Sequence, residues 1–216
     1  MSRVVSPHRA DVPASEKQKP STDDGLQRSD SKRGGNLTNS KKRMQLELLD
    51  EIMKEAPDMN KLRMLQTFDV DYSVKDPQSG MTILHHAAFY GEVDLFQLGL
   101  DAGLSVNETT KLGRTPLHFA CAGNQRSAVA FLLKHGAEVN AQTCAGLTPL
   151  HLAVRENATA AIKSLLFSKE AEGLVVEIEM EDMERKTPLS MATNKQIRDM
   201  LLRYKRGIAK QELPNE

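Results

Sequence analysis

The sequence predicts an all-α solenoid, a row of stacked helix pairs. An eight-residue block recurs at a fixed step, each block opens on helix-starting chemistry, and the stretch after it carries apolar residues at helical spacing. Gly80-Met81-Thr82-Ile83-Leu84-His85-His86-Ala87 returns as Gly113-Arg114-Thr115-Pro116-Leu117-His118-Phe119-Ala120 and as Gly146-Leu147-Thr148-Pro149-Leu150-His151-Leu152-Ala153. Thr82, Thr115 and Thr148 therefore follow one another at steps of 33 residues, and a fourth unit, Thr187-Pro188-Leu189-Ser190-Met191-Ala192, comes after 39. One short helix pair cannot bury its own apolar face, so the units must stack.

Taken in chain order, residues 1–40 contain no aromatic residue and are rich in Ser, Pro, Gly and charge. Such a stretch buries too little to offset the entropy of ordering and is expected to be a disordered polar tail. Ser6, followed by Pro7, is a candidate site for a proline-directed kinase, and Lys41-Lys42-Arg43 a candidate import signal. Residues 41–75 read as an N-terminal helical cap. Leu48, Leu49, Ile52, Met53 and Ala56 form one apolar stripe, Pro57 interrupts it, Asp58 can cap the next turn, and Met59, Leu62 and Leu65 form a second stripe.

The repeated units occupy 76–107, 108–140, 141–178 and 179–205, with a tail over 206–216. Thr is a good N-cap, and Pro suits the first helical position because its missing N–H would be unpaired there anyway. Second helices supply the larger core groups: Leu95 and Phe96, then Val129, Phe131, Leu132 and Leu133, then Ile162, Leu165 and Leu166. Gly91, Asn124 and Asn157 share one register and suit a left-handed backbone.

The 33-residue period and the Thr-Pro-Leu-His tetrad followed by Ala resemble the ankyrin-repeat family over roughly residues 76–205. The resemblance implies that each unit is a β-turn finger followed by two antiparallel helices. It implies that His85, His118 and His151 hydrogen-bond within the turn and brace neighbouring repeats. It also implies a concave face, built from fingers and first helices, that receives a partner protein. By position that face presents Met81, Phe89 and Tyr90, then Lys111, Leu112 and Arg114, then Cys144, Leu147, Arg155 and Glu156, then Met183 and Lys186. Asn140, in Leu132…Glu138-Val139-Asn140, resembles the pattern accepted by asparaginyl hydroxylases and is a candidate modification site.

Departures from the repeat are informative. Ile83 replaces Pro in the first unit, and Gly99 stands where the second has Leu132. A helical glycine costs about 1 kcal/mol, and a packing contact should be lost with it, so the first repeat is expected to be the softest. Ser190 replaces His in the last unit. The long third-to-fourth step is read as four extra residues before Gly173 and two in the following finger. From Glu170 to Glu184 there are seven acids and no base, with Val176, Ile178 and Met180 alternating with Glu177, Glu179 and Glu181. That is a half-buried, strand-like pattern, and its charge suits either a solvated loop or an acidic finger for a basic partner.

The same residues bear on catalysis and metal binding. Helices that pack about 8–10 Å apart keep the three repeat histidines too far apart to share one zinc at about 2.0–2.1 Å. Cys121 falls in the core register and reads as a small hydrophobe, while Cys144 falls on a finger. No phosphate-binding glycine loop, G-x-S-x-G or H-E-x-x-H pattern occurs. The chain is therefore expected to be neither an enzyme nor a cofactor or metal carrier.

Lys+Arg and Asp+Glu both total 29, which disfavours general nucleic-acid binding. Two cysteines cannot form a disulfide framework, and no apolar run approaches the roughly 20 residues of a membrane span. The expectation is a cytoplasmic or nuclear protein, monomeric alone, that binds one or more proteins as an adaptor, scaffold or regulatory subunit. The alternatives are a structural subunit of a large assembly, or a phosphatase-targeting or transcription-inhibiting subunit. Against phosphatase targeting, Arg3-Val4-Val5-Ser6 lacks the aromatic of the usual docking motif.

Overall fold

The computed structural model describes residues 33–52, 54, 58–65, 70–167, 171 and 173–211. Among these residues there are ten helices and no strand. Helices α1 (Arg33–Ile52) and α2 (Met59–Leu65) come first. An inner row follows: α3 (Ile83–Tyr90), α5 (Pro116–Ala122), α7 (Pro149–Arg155) and α9 (Pro188–Met191). The outer row is α4 (Val93–Asp101), α6 (Arg126–Lys134), α8 (Thr159–Phe167) and α10 (Lys195–Gln211). Each row packs on its own neighbours, and one apolar core runs from Leu48 to Leu201. This is the all-α solenoid of stacked units that the repeat demands.

Both ends are more helical than expected. Helix α1 begins at Arg33, inside the stretch assigned to the polar tail, and α10 runs through Gly207 to Gln211, past the expected boundary at 205. One interior glycine costs only about 1 kcal/mol, and α10 is already anchored by fully buried Ile197 and Leu201. Asp58 caps α2 as expected, accepting from Asn60 N–H at 2.9 Å and Lys61 N–H at 3.3 Å. Pro57, Met53 and Ala56, like Ser6, lie outside the described residues.

Thr82, Thr115, Thr148 and Thr187 each close a capping box with the residue three places on. In the first three units that residue is histidine. Thr82 N–H donates to His85 Nδ1 at 3.1 Å, and Thr115 and Thr148 do the same to His118 and His151. An N–H can only donate, so Nδ1 is the acceptor and the ring proton sits on Nε2. From there it is donated forward to the next unit: His85 to Arg114 O at 3.2 Å, His118 to Leu147 O at 2.9 Å, His151 to Lys186 O at 3.1 Å. Ser190 closes its own box only, accepting from Thr187 N–H at 2.9 Å and donating to Thr187 O at 2.8 Å.

Gly99 behaves differently from expectation. A Cβ there would lie 2.6 Å from Leu84 Cδ2 and 3.1 Å from Ile83 Cγ2. The larger Ile83 and the smaller Gly99 are complementary, so no packing contact is missing; α4 approaches α3 because the side chain is absent. The propensity cost remains, and the expected hole does not.

Two of the extra six residues also sit elsewhere than expected. Asn107 donates to Gly136 O at 3.3 Å and accepts from Glu138 N–H at 2.9 Å. Asn140 makes the same pair with Val175 O at 2.7 Å and Glu177 N–H at 2.9 Å. Val175 is thus the counterpart of Gly136 in this brace, 39 positions on. Gly173 keeps the left-handed turn, with φ 81° as at Gly136, so four additions precede it as expected, but the two assigned to the following finger lie between Gly173 and Val175 instead. The alternation beyond is real, with Val176 and Ile178 buried and Glu177 and Glu179 exposed. It is held by Asn140 and by the Tyr204 hydroxyl, which accepts from Val176 N–H at 3.0 Å, not by a strand ladder.

Candidate functional site

The concave face begins with the fingers. Each is a closed backbone turn: Thr110 N–H to Arg114 O at 2.9 Å, Thr143 N–H to Leu147 O at 2.9 Å, Asp182 N–H to Lys186 O at 3.0 Å. The first is one residue longer, from Asp76 N–H to Met81 O at 2.7 Å. Pro77 stands where Thr110 does and has no N–H to give. Side chains at the finger base then close the tips: the Thr143 hydroxyl accepts from Leu147 N–H at 3.1 Å, and the Asp182 carboxylate from Glu184 and Lys186 N–H at 2.8 and 2.9 Å.

Fingers are joined one to the next by Lys111 N–H to Ser79 O (2.9 Å), Cys144 N–H to Leu112 O (3.0 Å) and Met183 N–H to Ala145 O (3.1 Å). Such contact requires glycine at the turn. Gly80, Gly113 and Gly146 have φ of 75°, 71° and 74°. A Cβ on each would lie 3.1 Å from Lys111 N, Cys144 N and Asp182 Cα respectively. The fourth finger has Arg185 at this place with φ 58°. Among the described residues no further finger packs on it, and its side chain is exposed.

This frame presents apolar groups to solvent. Leu112 is 59% exposed and Met183 76% exposed at the finger tips, and Phe89, at the end of α3, is 41% exposed. Phe89 lies edge-on to half-buried Tyr90, ring centroids 5.2 Å apart. The last turn of α3 rests against α5, since a Cβ on Gly123 would collide with the Phe89 carbonyl. Cys144 is exposed on the third finger, its thiol 3.8 Å from Lys111 O.

The other residues anticipated for this face are placed less openly. Met81, Arg114 and Leu147 are half-buried, and the carbonyls of Arg114 and Leu147 are the acceptors for the bracing histidines. Lys111 donates to Pro77 O at 2.6 Å, Lys186 pairs with Glu184 at 2.6 Å and Arg155 with Glu156 at 3.0 Å. Asn140 lies apart from these, at the base of the third-to-fourth loop, with both ends of its amide engaged.

Electrostatics beneath the face favour neutral histidines. Burial pushes His85 and His118 down to about 4, against the opposing pull of the Arg114 and Leu147 carbonyls. Burial also lowers His151. The neutral ring is the form the bracing requires. Cys121 is fully buried and its thiol is raised by burial, so it is packing, not chemistry.

Three residues escaped the sequence reading. His86 is 6% exposed, is pushed down to about 4 by burial, and its Nε2 has no partner among the described residues. Its signal was its register, since it occupies the place of Phe119 and Leu152. Arg185 carries a glycine conformation, legible by aligning it with Gly146. Glu51 is 1% exposed and accepts from Lys54 Nζ at 2.8 Å, Asp58 N–H at 2.7 Å and Lys61 Nζ at 3.1 Å. Burial would raise that carboxyl, but these donors outweigh it and hold it at about 2. No periodic pattern marks such a residue.

No helix among the described residues is long and apolar enough to cross a membrane. The family model described as ankyrin repeats (3 copies) matches residues 52–143 and again 84–177. Together these spans cover more than half of the chain and include the first three braced units. With the 33-residue step, the finger-and-helix-pair architecture and the forward-donating histidines, they show that the chain belongs to the ankyrin-repeat family, whose members are generally protein-interaction modules.

Proposed function

We propose that this protein is an adaptor or regulatory subunit that holds a partner protein against its concave face. The observation that carries the reading is the set of exposed apolar groups, Phe89, Leu112 and Met183, on a frame of fingers closed and joined to one another by backbone hydrogen bonds. Large anchors amid near-neutral contacts are what binding hot spots use, and a preformed frame loses little entropy on association. Tyr90, Lys111, Arg114, Leu147, Arg155 and Lys186 complete the face as its rim, and Met81 lies at its first finger. The proposed setting is the cytoplasm or nucleus. Asn140 is proposed as a hydroxylation site, tested by the intact mass of the native protein.

Native affinity purification with mass spectrometry tests the concave reading. Wild type is compared with the Phe89→Ala, Tyr90→Ala variant after both are shown to be folded. Recovery of one partner at near-equal stoichiometry, lost in the variant, supports the reading. Undiminished recovery of the same partner by the folded variant refutes these anchors.

A further inference from the structure

We infer that the C-terminal cap carries a second, separate docking groove, built for an acidic segment of a partner protein. The groove has a volume of about 1190 Å³ and lies between α8 and α10, on the outer row and away from the fingers. Lys163 of α8 and Lys195, Arg203 and Arg206 of α10 line it, with Asp199 as the one carboxylate. Lys195, Asp199, Arg203 and Arg206 fall at i, i+4, i+8 and i+11, a single face of the helix. The opposite side of α10 is committed to the core through Ile197 and Leu201.

All four cations are exposed, and none makes a hydrogen bond or ion pair among the described residues. Their neighbours on α10 show the contrast: Lys205 is paired with Glu179, and Arg198 donates to Ala192 O at 2.7 Å. The chain as a whole is neutral, so this is a local concentration of charge rather than a general field.

The composition of the groove selects among anionic occupants. No aromatic ring lines it, so it offers nothing for nucleobases to stack on. It is concave, and its apolar side chains are two, half-buried Met200 and Leu202, set among four cations, whereas a membrane-surface helix projects a broad apolar face into lipid. Side-chain carboxylates on an extended peptide meet point charges spaced along a helix, with Asn194 and Gln196 at the groove's end as amide partners.

Fluorescence anisotropy of the full chain with a fluorescein-labelled glutamate-rich peptide tests the inference. A short single-stranded RNA and phosphatidylserine vesicles run in parallel. The peptide is expected to bind, and to weaken at least about tenfold as salt is raised through the range where the Debye length falls below about 8 Å. The folded variant K163Q/K195Q/R203Q/R206Q is expected to lose at least about tenfold in affinity, and Lys163→Gln and Arg206→Gln, on different helices, to lose part of it each. Neutralising Arg126 and Lys134 on α6 should leave binding intact, and so should Phe89→Ala with Tyr90→Ala. Peptide binding that survives the groove variants overturns the site. Tighter binding of RNA or vesicles overturns the class of occupant. A self-association of the unliganded chain that the groove variants abolish assigns the groove to a second copy instead.

Discussion

The joint between the second and third repeats and the joint between the third and fourth use the same connections at different chain lengths. Across the first, His118 reaches Leu147 O, 29 residues on, and Leu112 meets Cys144. Across the second, His151 reaches Lys186 O, 35 residues on, and Ala145 meets Met183; Asn140, at the end of the second repeat, likewise reaches partners 35 to 37 residues on where Asn107, at the end of the first, reaches 29 to 31. Six added residues leave every brace in place because they all lie before the first anchor, Val175. The chain can vary between braces and not at them. Loop length is a weak entropic term, whereas a buried donor left without its acceptor costs about 1–3 kcal/mol.

The comparison is sharpest under acid. His85 and His118 titrate near 6.5 when unfolded and about 4 when folded. Between those values the unfolded chain binds more protons, so stability is full above about pH 6.5 and falls steadily toward pH 4. A shift of this size corresponds to roughly 3 kcal/mol per histidine. Urea titrations across this window should show a falling midpoint; a midpoint constant from neutral pH to about 4.5 would mean that the histidines do not brace as neutral rings.

Next in size is removal of one brace. His118→Ala is expected to cost about 3 kcal/mol, since it strands the Thr115 N–H and the Leu147 carbonyl in the core. Ser190→Ala, at the terminal unit where nothing is braced, should cost about 1 kcal/mol, the value of a cap. Equal losses in thermal or urea unfolding would show that the forward bond adds nothing to the box.

The finger turns separate the same two regions. Gly146→Ala meets both an unfavourable φ and the backbone of the fourth finger, and is expected to destabilise by about 2 kcal/mol. Arg185→Gly relieves φ at a finger on which no other packs among the described residues, and is expected to stabilise by about 0.5–1 kcal/mol. A destabilising Arg185→Gly would mean that the arginine side chain makes a contribution larger than its backbone strain.

Gly99→Ala in the first repeat sets two opposing effects against each other. Helix propensity favours it by about 1 kcal/mol, and collision with Leu84 opposes it by about 1–3 kcal/mol. A net loss of about 1 kcal/mol in chemical denaturation is expected, and a net gain would restore the softer first repeat that the bare sequence suggests.

The recurring Thr, Leu, His and Ala, with their period, made the helix pairs, the caps and the histidine braces legible beforehand. The left-handed turns at Gly91, Asn124 and Asn157 were legible too, and their φ values are 78°, 56° and 55°. The role of Gly99 was not, because a missing side chain is an error or a fit depending on Leu84 and Ile83 across the interface. The concave residues were legible only as positions. Leu112 and Met183 could be told from half-buried Arg114 and Leu147 only once the turns were closed.

By itself the sequence determined the unit, its step and its bonding grammar, because those depend on contacts within a few residues or one fixed repeat away. Tertiary structure alone decided where the six extra residues fell, which tips stayed exposed, why Arg185 is tolerated where its predecessors are glycine, and how Lys163 came to share a groove with Lys195, Arg203 and Arg206. Each of those outcomes depends on what the neighbouring unit leaves empty or fills, and that is a property of packed surfaces rather than of local sequence.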